Sequence, residues 1–271
     1  VCITGLFWLK LCRFAMWQLF LDRCNASPAS PALVDAELPG VFTCHELLQR
    51  VLQLCHRLQP WTIDDQLGIC FQRPSLSAVV ALLAALRMER PYVPLHPMDS
   101  WGLGTSSERL AFLMSLAKIS GVLCGRDTVE QVLKAWRGRK DQLLDLDSDF
   151  DFQQLPLPPV STPAPATTEL LYVMFTSGST GRPKGVKGLK SATLNRLQWQ
   201  WHCYPWTSTD VALARTPLVF VDHVAELFGA LLAAEGPSLV CSATEVPKLL
   251  RCLKQHQAGV VNNTCGGEQH M

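Results

Sequence analysis

The fold of this chain is decided by the stretch Leu171-Tyr-Val-Met-Phe-Thr-Ser-Gly-Ser-Thr-Gly-Arg-Pro-Lys-Gly-Val186. Its apolar run from Leu171 to Phe175 predicts a β-strand, which then breaks into a loop of glycine, serine and threonine. Glycine lets a backbone approach an anion closely, and the hydroxyl and N–H groups of such a loop can donate hydrogen bonds to it. Lys184 adds a positive charge that can balance phosphate, and Pro183 stiffens the end of the loop. A strand that leads into such a loop indicates a phosphate-binding site.

The spacing within this loop is not that of a Walker A motif, because Pro183 stands where that motif requires its second glycine. The stretch instead resembles the phosphate loop of the adenylate-forming enzymes. That family comprises acyl-CoA synthetases, luciferases and the adenylation domains of nonribosomal peptide synthetases. Its signature, Thr-Ser-Gly-Ser/Thr-Thr-Gly-x-Pro-Lys-Gly, is matched at every position from Thr176 to Gly185. An ordinary surface loop rich in serine and glycine is the alternative interpretation.

The resemblance implies that the loop and Lys184 hold the β- and γ-phosphates of ATP, and that Lys184 is catalytic. Mg²⁺ would be held through the phosphates of ATP rather than by a set of protein ligands alone. The residues expected to bind the nucleotide are Thr176, Ser177, Gly178, Ser179, Thr180, Gly181 and Lys184.

Length, composition and charge limit the possible functions. The chain has 271 residues, of which 48% are hydrophobic and 17% charged, so it can form a substantial core. A net charge of +1, with no basic stripe, gives no reason to expect a nucleic-acid partner. The 11 cysteines include no Cys-x-x-Cys pair and no zinc-site spacing. They are typical of buried thiols in a reducing compartment, so we expect a cytoplasmic protein.

The first twenty residues are rich in apolar side chains, which raises the question of a signal peptide or a membrane anchor. Lys10 and Arg13 interrupt the apolar segment, and its longest uninterrupted run is too short to span a bilayer. For residues 1–20 we therefore favour a docking helix or a stray upstream segment over a stable membrane anchor.

Local patterns predict alternating strands and helices. Thr43 and Glu46 have the spacing of a capping box, which indicates the start of a helix. Strand-forming residues 67–71, an apolar helix over Ser75 to Leu86 and the run Tyr92 to Pro97 form a βαβ unit, which requires parallel pairing. The run Tyr92-Val-Pro-Leu-His-Pro97 is similar to a block of the same family that usually has Asp in place of His96.

The fold class that follows is α/β, with largely parallel sheets flanked by helices. The resemblance identifies it as the first part of the large N-terminal domain of adenylate-forming enzymes. We interpret residues 21–261 as a partial AMP-binding domain that includes a Pro-rich connector at 155–168. The tail 262–271 does not resemble the continuation of the family.

A second candidate site lies at Phe220-Val-Asp-His-Val-Ala-Glu226, where the family places the entrance of its substrate pocket. Adenylation domains usually have Phe-Asp-x-Ser there, and the Asp binds the amino group of the substrate. Many acyl- and aryl-CoA synthetases have a His near the carboxylate instead. Here Asp222 comes one residue later than the usual Asp, and His223 takes the Ser position. The alternative is that Asp222 and His223 only cap a helix.

The shifted carboxylate favours a substrate whose amino group is not on the α-carbon, because an ammonium–carboxylate pair in a closed pocket discriminates strongly. Together with the run Asn195 to Trp201, it resembles most the branch of the β-alanine-activating enzymes. The resemblance thus implies substrate-binding roles for Phe220, Asp222 and His223, with a carboxylic or amino acid as the small-molecule partner.

The implied reaction joins a carboxylate to ATP, releases pyrophosphate and passes the acyl group to a thiol, either of CoA or of phosphopantetheine on a carrier protein. The family blocks that bind adenine and ribose, and the lid lysine, are not recognisable in this sequence. We therefore expect an N-terminal partial chain that does not complete adenylation alone. The alternatives are an ATP-binding pseudoenzyme, an interaction fragment without ligase activity, and a module of a larger synthetase. Amino acids and fatty acids both remain candidate substrates.

Overall fold

The computed structural model of the chain describes residues 5–61, 66–97, 106–148, 168–176, 182–207, 209–241 and 245–255. Helices and mostly parallel strands alternate over these residues, which confirms the predicted α/β fold. The helices are α1 (Gly5–Ala26), α2 (Cys44–Leu58), α3 (Leu76–Arg87), α4 (Ser106–Leu116), α5 (Val129–Ala135), α6 (Lys190–Cys203), α7 (Asp222–Leu231) and α8 (Val246–Gln255). The strands are β1 (Pro31–Asp35), β2 (Phe42–Thr43), β3 (Gln66–Cys70), β4 (Tyr92–Leu95), β5 (Ile119–Cys124), β6 (Leu143–Asp145), β7 (Leu170–Thr176), β8 (Lys184–Leu189), β9 (Val211–Ala214) and β10 (Ser238–Cys241).

The described strands form two sheets. One has four strands in the order β2-β1-β10-β9, and the other has six in the order β6-β5-β3-β4-β7-β8. Neighbouring strands are parallel except in the pairs β1–β2 and β7–β8, which are antiparallel. The predicted βαβ unit is confirmed, because β3 and β4 pair in parallel, with Leu67 opposite Tyr92, and α3 connects them.

Helix α3 lies between the two sheets. Every residue from Leu76 to Leu86 is buried, and the helix contacts β1 of the smaller sheet and β3 of the larger one. A single apolar cluster accordingly includes Leu33 of β1 and Leu67 of β3 together with most of α3. A helix that is apolar on all sides is stable where neighbours cover every face. The two sheets therefore share one core.

Helix α1 is built into this core at its C-terminal half. Met16, Trp17 and Phe20 are buried, and the helix contacts α2, α3 and α6. The guanidinium of Arg23 donates hydrogen bonds to three carbonyl oxygens, those of Ala230, Gly236 and Pro237. Helix α1 runs without a break across residue 20, where we expected one segment to end. None of the helices in the described part of the chain is long and apolar enough to cross a membrane.

The capping box predicted for α2 is confirmed. The Glu46 backbone N–H donates to Thr43 Oγ1 at 3.2 Å, and the Thr43 backbone N–H donates to Glu46 Oε2 at 2.8 Å. The Glu46 carboxylate accepts from the Thr43 backbone N–H and also, at 2.9 Å, from the Thr43 hydroxyl, and these two hydrogen bonds hold the pKa of the Glu46 carboxyl below its ordinary value. Two other sequence predictions, the tail 262–271 and the Pro-rich connector apart from Thr168, lie outside the described residues.

Candidate functional site

The phosphate-loop sequence lies at the turn of a β-hairpin. Strand β7 includes the predicted run Leu171 to Phe175, and it pairs with β8 so that Thr176 lies opposite Lys184. Both of these residues are exposed, and Ser177 to Gly181, which connect them, lie outside the described residues. The hairpin thus brings two of the predicted nucleotide-binding residues, one hydroxyl and one ammonium group, to the same end of the sheet.

Strand β8 is the edge strand of the larger sheet, and its Gly188 lies directly against the side chain of Tyr172 on β7. A Cβ atom on Gly188 would lie 2.0 Å from Cζ of Tyr172, which no side chain allows. Only glycine at this position lets the Tyr172 ring lie flat over the edge strand. Tyr172 is therefore held where it forms part of the wall of a neighbouring cavity.

This cavity, of about 410 Å³, lies between β8, the first turns of α6 and the start of α7. Its wall carries charges of both signs, since Lys187 and Arg196 line it together with Asp222. Tyr172, Thr193 and a group of mostly apolar residues complete the lining. A cavity with separated positive and negative groups matches a zwitterion better than a purely apolar acid.

Asp222 is the first residue within α7. The N-cap position belongs to Val221, whose side chain makes no capping hydrogen bond, so the helix-cap alternative for Asp222 is not what the structure contains. Asp222 is exposed and lines the cavity, and a carboxylate in the first helical turn is stabilised by the helix dipole. Phe220 is 58% exposed just before the helix, beside the exposed Val221.

His223, the neighbour of Asp222, faces the protein interior. Its ring is fully buried, with Nδ1 2.7 Å from the Phe220 carbonyl oxygen and Nε2 2.9 Å from the Tyr92 hydroxyl. Burial lowers the pKa of the imidazole to about 4, so His223 is neutral at neutral pH. The residues that line the cavity in the described chain include Asp222 and not His223. Direct contact between His223 and a substrate stays a prediction that would require these two hydrogen bonds to rearrange.

Glu226 fixes the loop that leads from β9 into α7. Its carboxylate accepts hydrogen bonds from the backbone N–H groups of Arg215 and Thr216 at 3.0 and 2.9 Å, and from the Thr216 hydroxyl at 2.6 Å. The sequence predicts no role for Glu226 itself; it only marks the end of the segment Phe220 to Glu226. The structure shows that it holds this segment against the end of strand β9.

A buried ion pair anchors the start of helix α6, whose first turns line the cavity. Lys190, the first residue of α6, contacts the Glu89 carboxylate beyond the C-terminus of α3, and both side chains are almost fully buried. The Lys190 ammonium also donates to the Thr168 carbonyl at 3.1 Å. Burial raises the pKa of the Glu89 carboxyl, and the lysine opposes that rise. Sequence reasoning missed this pair, because nothing local distinguishes Lys190 from the exposed lysines before it.

Comparison with known proteins identifies the family. The AMP-binding enzyme profile matches residues 20–264, which is most of the chain. The chain belongs to the AMP-binding enzyme family. The sequence-based family assignment is therefore confirmed.

Several peptide synthases are similar in sequence to this AMP-binding domain. A linear gramicidin synthase of Brevibacillus parabrevis is 34% identical over 237 residues, which is 86% of this chain and 3% of that protein. Zwittermicin A synthase ZmaJ of Bacillus cereus is 33% identical over 215 residues, 78% of this chain and 38% of its own length. Vanchrobactin synthetase VabF of Vibrio anguillarum is 32% identical over 249 residues, which is 87% of this chain and 8% of that protein. The chain thus spans well under half the length of these relatives.

Solved structures share the fold. The nonribosomal peptide synthetase FmoA3, in a form bound to α-methyl-L-serine-AMP, superposes with a TM-score of 0.72 at 20% identity, over 90% of this chain and 26% of that one. The luciferase-like enzyme of the mealworm Zophobas morio superposes with a TM-score of 0.72 at 17% identity, over 90% of this chain and 58% of that one. The resemblance to the β-alanine-activating branch stays a prediction.

Proposed function

We propose that this AMP-binding domain serves the ATP-dependent activation of a carboxylic acid. A carboxylate oxygen would attack the α-phosphorus of ATP, the bond from that phosphorus to the β-phosphate bridging oxygen would break, and an acyl-adenylate and pyrophosphate would form. One observation carries this proposal: the cavity with charged side chains in its wall borders strand β8. The first residue of this strand is Lys184, next to the predicted phosphate loop. An acid in the cavity and a triphosphate at the hairpin would therefore be neighbours.

The residues at the hairpin end fit a nucleotide. Thr176 offers an exposed hydroxyl and Lys184 an exposed ammonium group, and both lie beside the loop whose sequence resembles the family's phosphate loop. Mg²⁺ bound to the phosphates would supply further neutralisation of their charge. Lys184 would act by stabilising the negative charge that develops on the leaving pyrophosphate.

The charges of the cavity favour an amino acid as the substrate. Asp222 would bind the ammonium group, while Lys187 and Arg196 line the same cavity with positive charge suited to a carboxylate. Because Asp222 comes one residue later than the family's usual Asp, we infer a β-amino acid or another amino acid with a displaced amino group. Phe220 would lie at the entrance of the cavity. His223, which is buried next to the cavity wall, would contribute without lining the cavity.

The acceptor of the acyl group would be a thiol, of CoA or of phosphopantetheine on a carrier protein. Peptide synthases among the relatives support a carrier protein as a partner. The eight cysteines from Cys24 to Cys252 are free thiols, which supports a reducing compartment such as the cytoplasm.

The test is carboxylate-dependent exchange of pyrophosphate into ATP by the purified chain, with circular dichroism to show that it is folded. The panel of acids would contain β-alanine, α-amino acids and fatty acids. Exchange above background supports the proposal, names the substrate class and contradicts the expectation that the chain does not complete adenylation alone. Binding of Mg²⁺–ATP without exchange would support the alternative of an ATP-binding domain that needs further sequence for catalysis. A folded chain that neither exchanges nor binds ATP would contradict the proposal.

Substitution of Lys184 tests its role directly. Lys184→Ala should lower kcat/KM by roughly 10²-fold or more, because the ammonium group would stabilise the phosphate charge in the transition state. Lys140→Ala is the matched control, since Lys140 is an exposed lysine in a turn before β6, away from the hairpin. Unchanged exchange kinetics in Lys184→Ala would remove Lys184 from the proposed mechanism.

A further inference from the structure

Three aromatic or imidazole side chains from three different elements meet behind the cavity. They are Tyr92 of β4, Tyr172 of β7 and His223 of α7. The ring centroids of Tyr92 and His223 lie 5.9 Å apart in an edge-on arrangement, and those of Tyr92 and Tyr172 also lie 5.9 Å apart. Tyr172 is a cavity residue, whereas Tyr92 and His223 are fully buried. The cluster therefore connects the cavity wall to the middle of the larger sheet.

The hydrogen bonds of His223 leave one arrangement of protons. A carbonyl oxygen only accepts, so His223 Nδ1, 2.7 Å from the Phe220 oxygen, must carry the hydrogen. In the neutral ring Nε2 then accepts, and the Tyr92 hydroxyl, 2.9 Å away, donates to it. Both ring nitrogens are satisfied, which buried polar groups require.

We propose that Tyr92 and His223 form a positioning pair that sets the place of Asp222 at the cavity wall, and thereby the selectivity of the cavity among amino acids. The proposal rests on the proposed function and assigns the pair no contact with the substrate. Tyr92 holds His223 against β4, and Asp222 is the residue directly before His223 in the first turn of α7.

The first turn of α7 needs such an anchor. Its N-cap residue, Val221, supplies no side-chain hydrogen bond to the helix. The Phe220 carbonyl instead accepts from the His223 backbone N–H at 3.2 Å and from the His223 ring. The ring thus closes the turn and ties it to the sheet through Tyr92, while Glu226 ties the next turn to Thr216.

Adjacent residues on a helix point in directions about 100° apart, so an inward His223 leaves its neighbour Asp222 facing the cavity. A carboxylate that binds an ammonium group discriminates well only when it is held in place, because displacement by about 1 Å weakens the contact sharply. Loss of the anchor should therefore affect acid binding and selectivity before it affects the nucleotide.

The first experiment uses Tyr92→Phe, which removes one hydroxyl and keeps the ring. With the acid identified by pyrophosphate exchange, we expect KM for that acid to rise roughly tenfold and its preference over other acids to fall, while KM for ATP stays within about twofold. Thr128→Val is the matched control, because the Thr128 hydroxyl is equally buried and donates to the Cys70 carbonyl oxygen at 2.7 Å, outside the cavity lining. An unchanged acid KM and preference in Tyr92→Phe would overturn the proposal and leave the proposed function intact.

A double-mutant cycle separates positioning from general destabilisation. His223→Asn keeps a donor near the Phe220 carbonyl and removes the acceptor of the Tyr92 hydroxyl. In that background Tyr92→Phe should change the acid KM no further, because the link is already broken. Additive effects on KM would show that the two residues act independently and would contradict the pair.

The link also has a spectroscopic readout that needs no activity. Imidazole ¹⁵N spectra of the folded chain should show His223 as the neutral tautomer with hydrogen on Nδ1, and Tyr92→Phe should shift the Nε2 signal. If the chain alone activates no acid, amide hydrogen exchange over residues 221–224 tests the Tyr92–His223 pair independently of activity. Faster amide hydrogen exchange at residues 221–224 in Tyr92→Phe than in Thr128→Val would support the Tyr92–His223 anchor. Equal amide hydrogen exchange in the two variants would overturn it.

Discussion

Lys184 and Lys190 show how the environment of a residue decides its task. Lys184 begins β8 and is exposed beside the predicted phosphate loop, where we propose that its charge stabilises bound phosphate. Lys190 begins α6 and is 3% exposed, and its charge is paired with the buried Glu89 carboxylate instead. Substitution of Lys190 should therefore lower the stability of the fold, whereas substitution of Lys184 should leave the stability almost unchanged.

The contrast can be measured by urea unfolding. Lys190→Met should lower the free energy of unfolding by about 3–5 kcal/mol, because it leaves the Glu89 carboxylate buried without its cation. Lys184→Ala should change that free energy by no more than about 0.5 kcal/mol. Combining Lys190→Met with Glu89→Gln should restore part of the stability, since the buried charge is then removed as well. A Lys190→Met variant as stable as the wild type would show that the ion pair does not stabilise the fold.

Burial of His223 makes stability depend on pH. The pKa is about 4 in the folded chain and 6.5 for a free imidazole, so between these values the unfolded chain binds more protons. The free energy of unfolding should fall as pH is lowered from 6.5 to 4, by about 3 kcal/mol from this group. Its neighbours Tyr92 and Tyr172 stay neutral in this range, because burial raises the pKa of both phenols.

His223→Asn tests this dependence. The variant should lose the part of the acid destabilisation that falls between pH 6.5 and 4, measured as urea midpoints at several pH values. His202→Asn is the control, because His202 is exposed on α6 and should leave the wild-type profile unchanged. Parallel profiles for the wild type and His223→Asn would contradict the buried neutral imidazole.

At the scale of elements, local signals predict both helix α2 and helix α3, but they do not predict where α3 lies in the fold. The capping box of α2 involves only residues within one turn, so it could be predicted from Thr43 and Glu46 and is confirmed. The apolar residues of α3 predicted a buried helix. Its position between two sheets, which explains why all its faces are apolar, depends on strands far away in the chain.

The cap of α2 should carry a measurable share of stability. Thr43→Ala removes the side-chain acceptor of the Glu46 N–H and should cost about 1 kcal/mol in the free energy of unfolding. Thr43→Ser keeps a hydroxyl at the same place and should stay close to the wild type. Equal losses in the two variants would show that the methyl group matters and the hydrogen bond does not.

Strand β8 is an element that local reasoning missed. Its sequence, Lys-Gly-Val-Lys-Gly-Leu, contains residues that are depleted in strands, so its propensity argues against extended structure. Antiparallel pairing with β7 supplies the hydrogen bonds that stabilise it nonetheless. Tertiary pairing here overrides propensity, and the cavity wall depends on this strand through Lys187 and Gly188.

At the scale of the whole molecule, Arg23 joins helix α1 to helix α7 and to the residues before β10. Its buried guanidinium binds the carbonyl oxygen of Ala230 near the end of α7 and two more before β10. Arg23→Met should lower the free energy of unfolding by roughly 3 kcal/mol, because buried carbonyls lose a charged donor. Urea unfolding would measure this loss.

The control for Arg23 is its neighbour on the same helix. Asp22 is exposed and contacts only Gln18 among the hydrogen bonds described for it, so Asp22→Ala should stay within about 0.5 kcal/mol of the wild type. A loss in Asp22→Ala as large as that in Arg23→Met would mean that substitution anywhere in this part of α1 disturbs the fold.

The sequence by itself determined the fold class and the family, because both depend on residues that are contiguous or periodic along the chain; the phosphate-binding role of Thr176 to Lys184 stays a prediction. The tertiary structure alone decided which charged residues are buried and which line the cavity. The Tyr92–His223 hydrogen bond joins residues 131 positions apart, and the Glu89–Lys190 pair joins residues 101 positions apart. No local pattern predicts such pairs, because burial and partnership arise only when distant elements pack together.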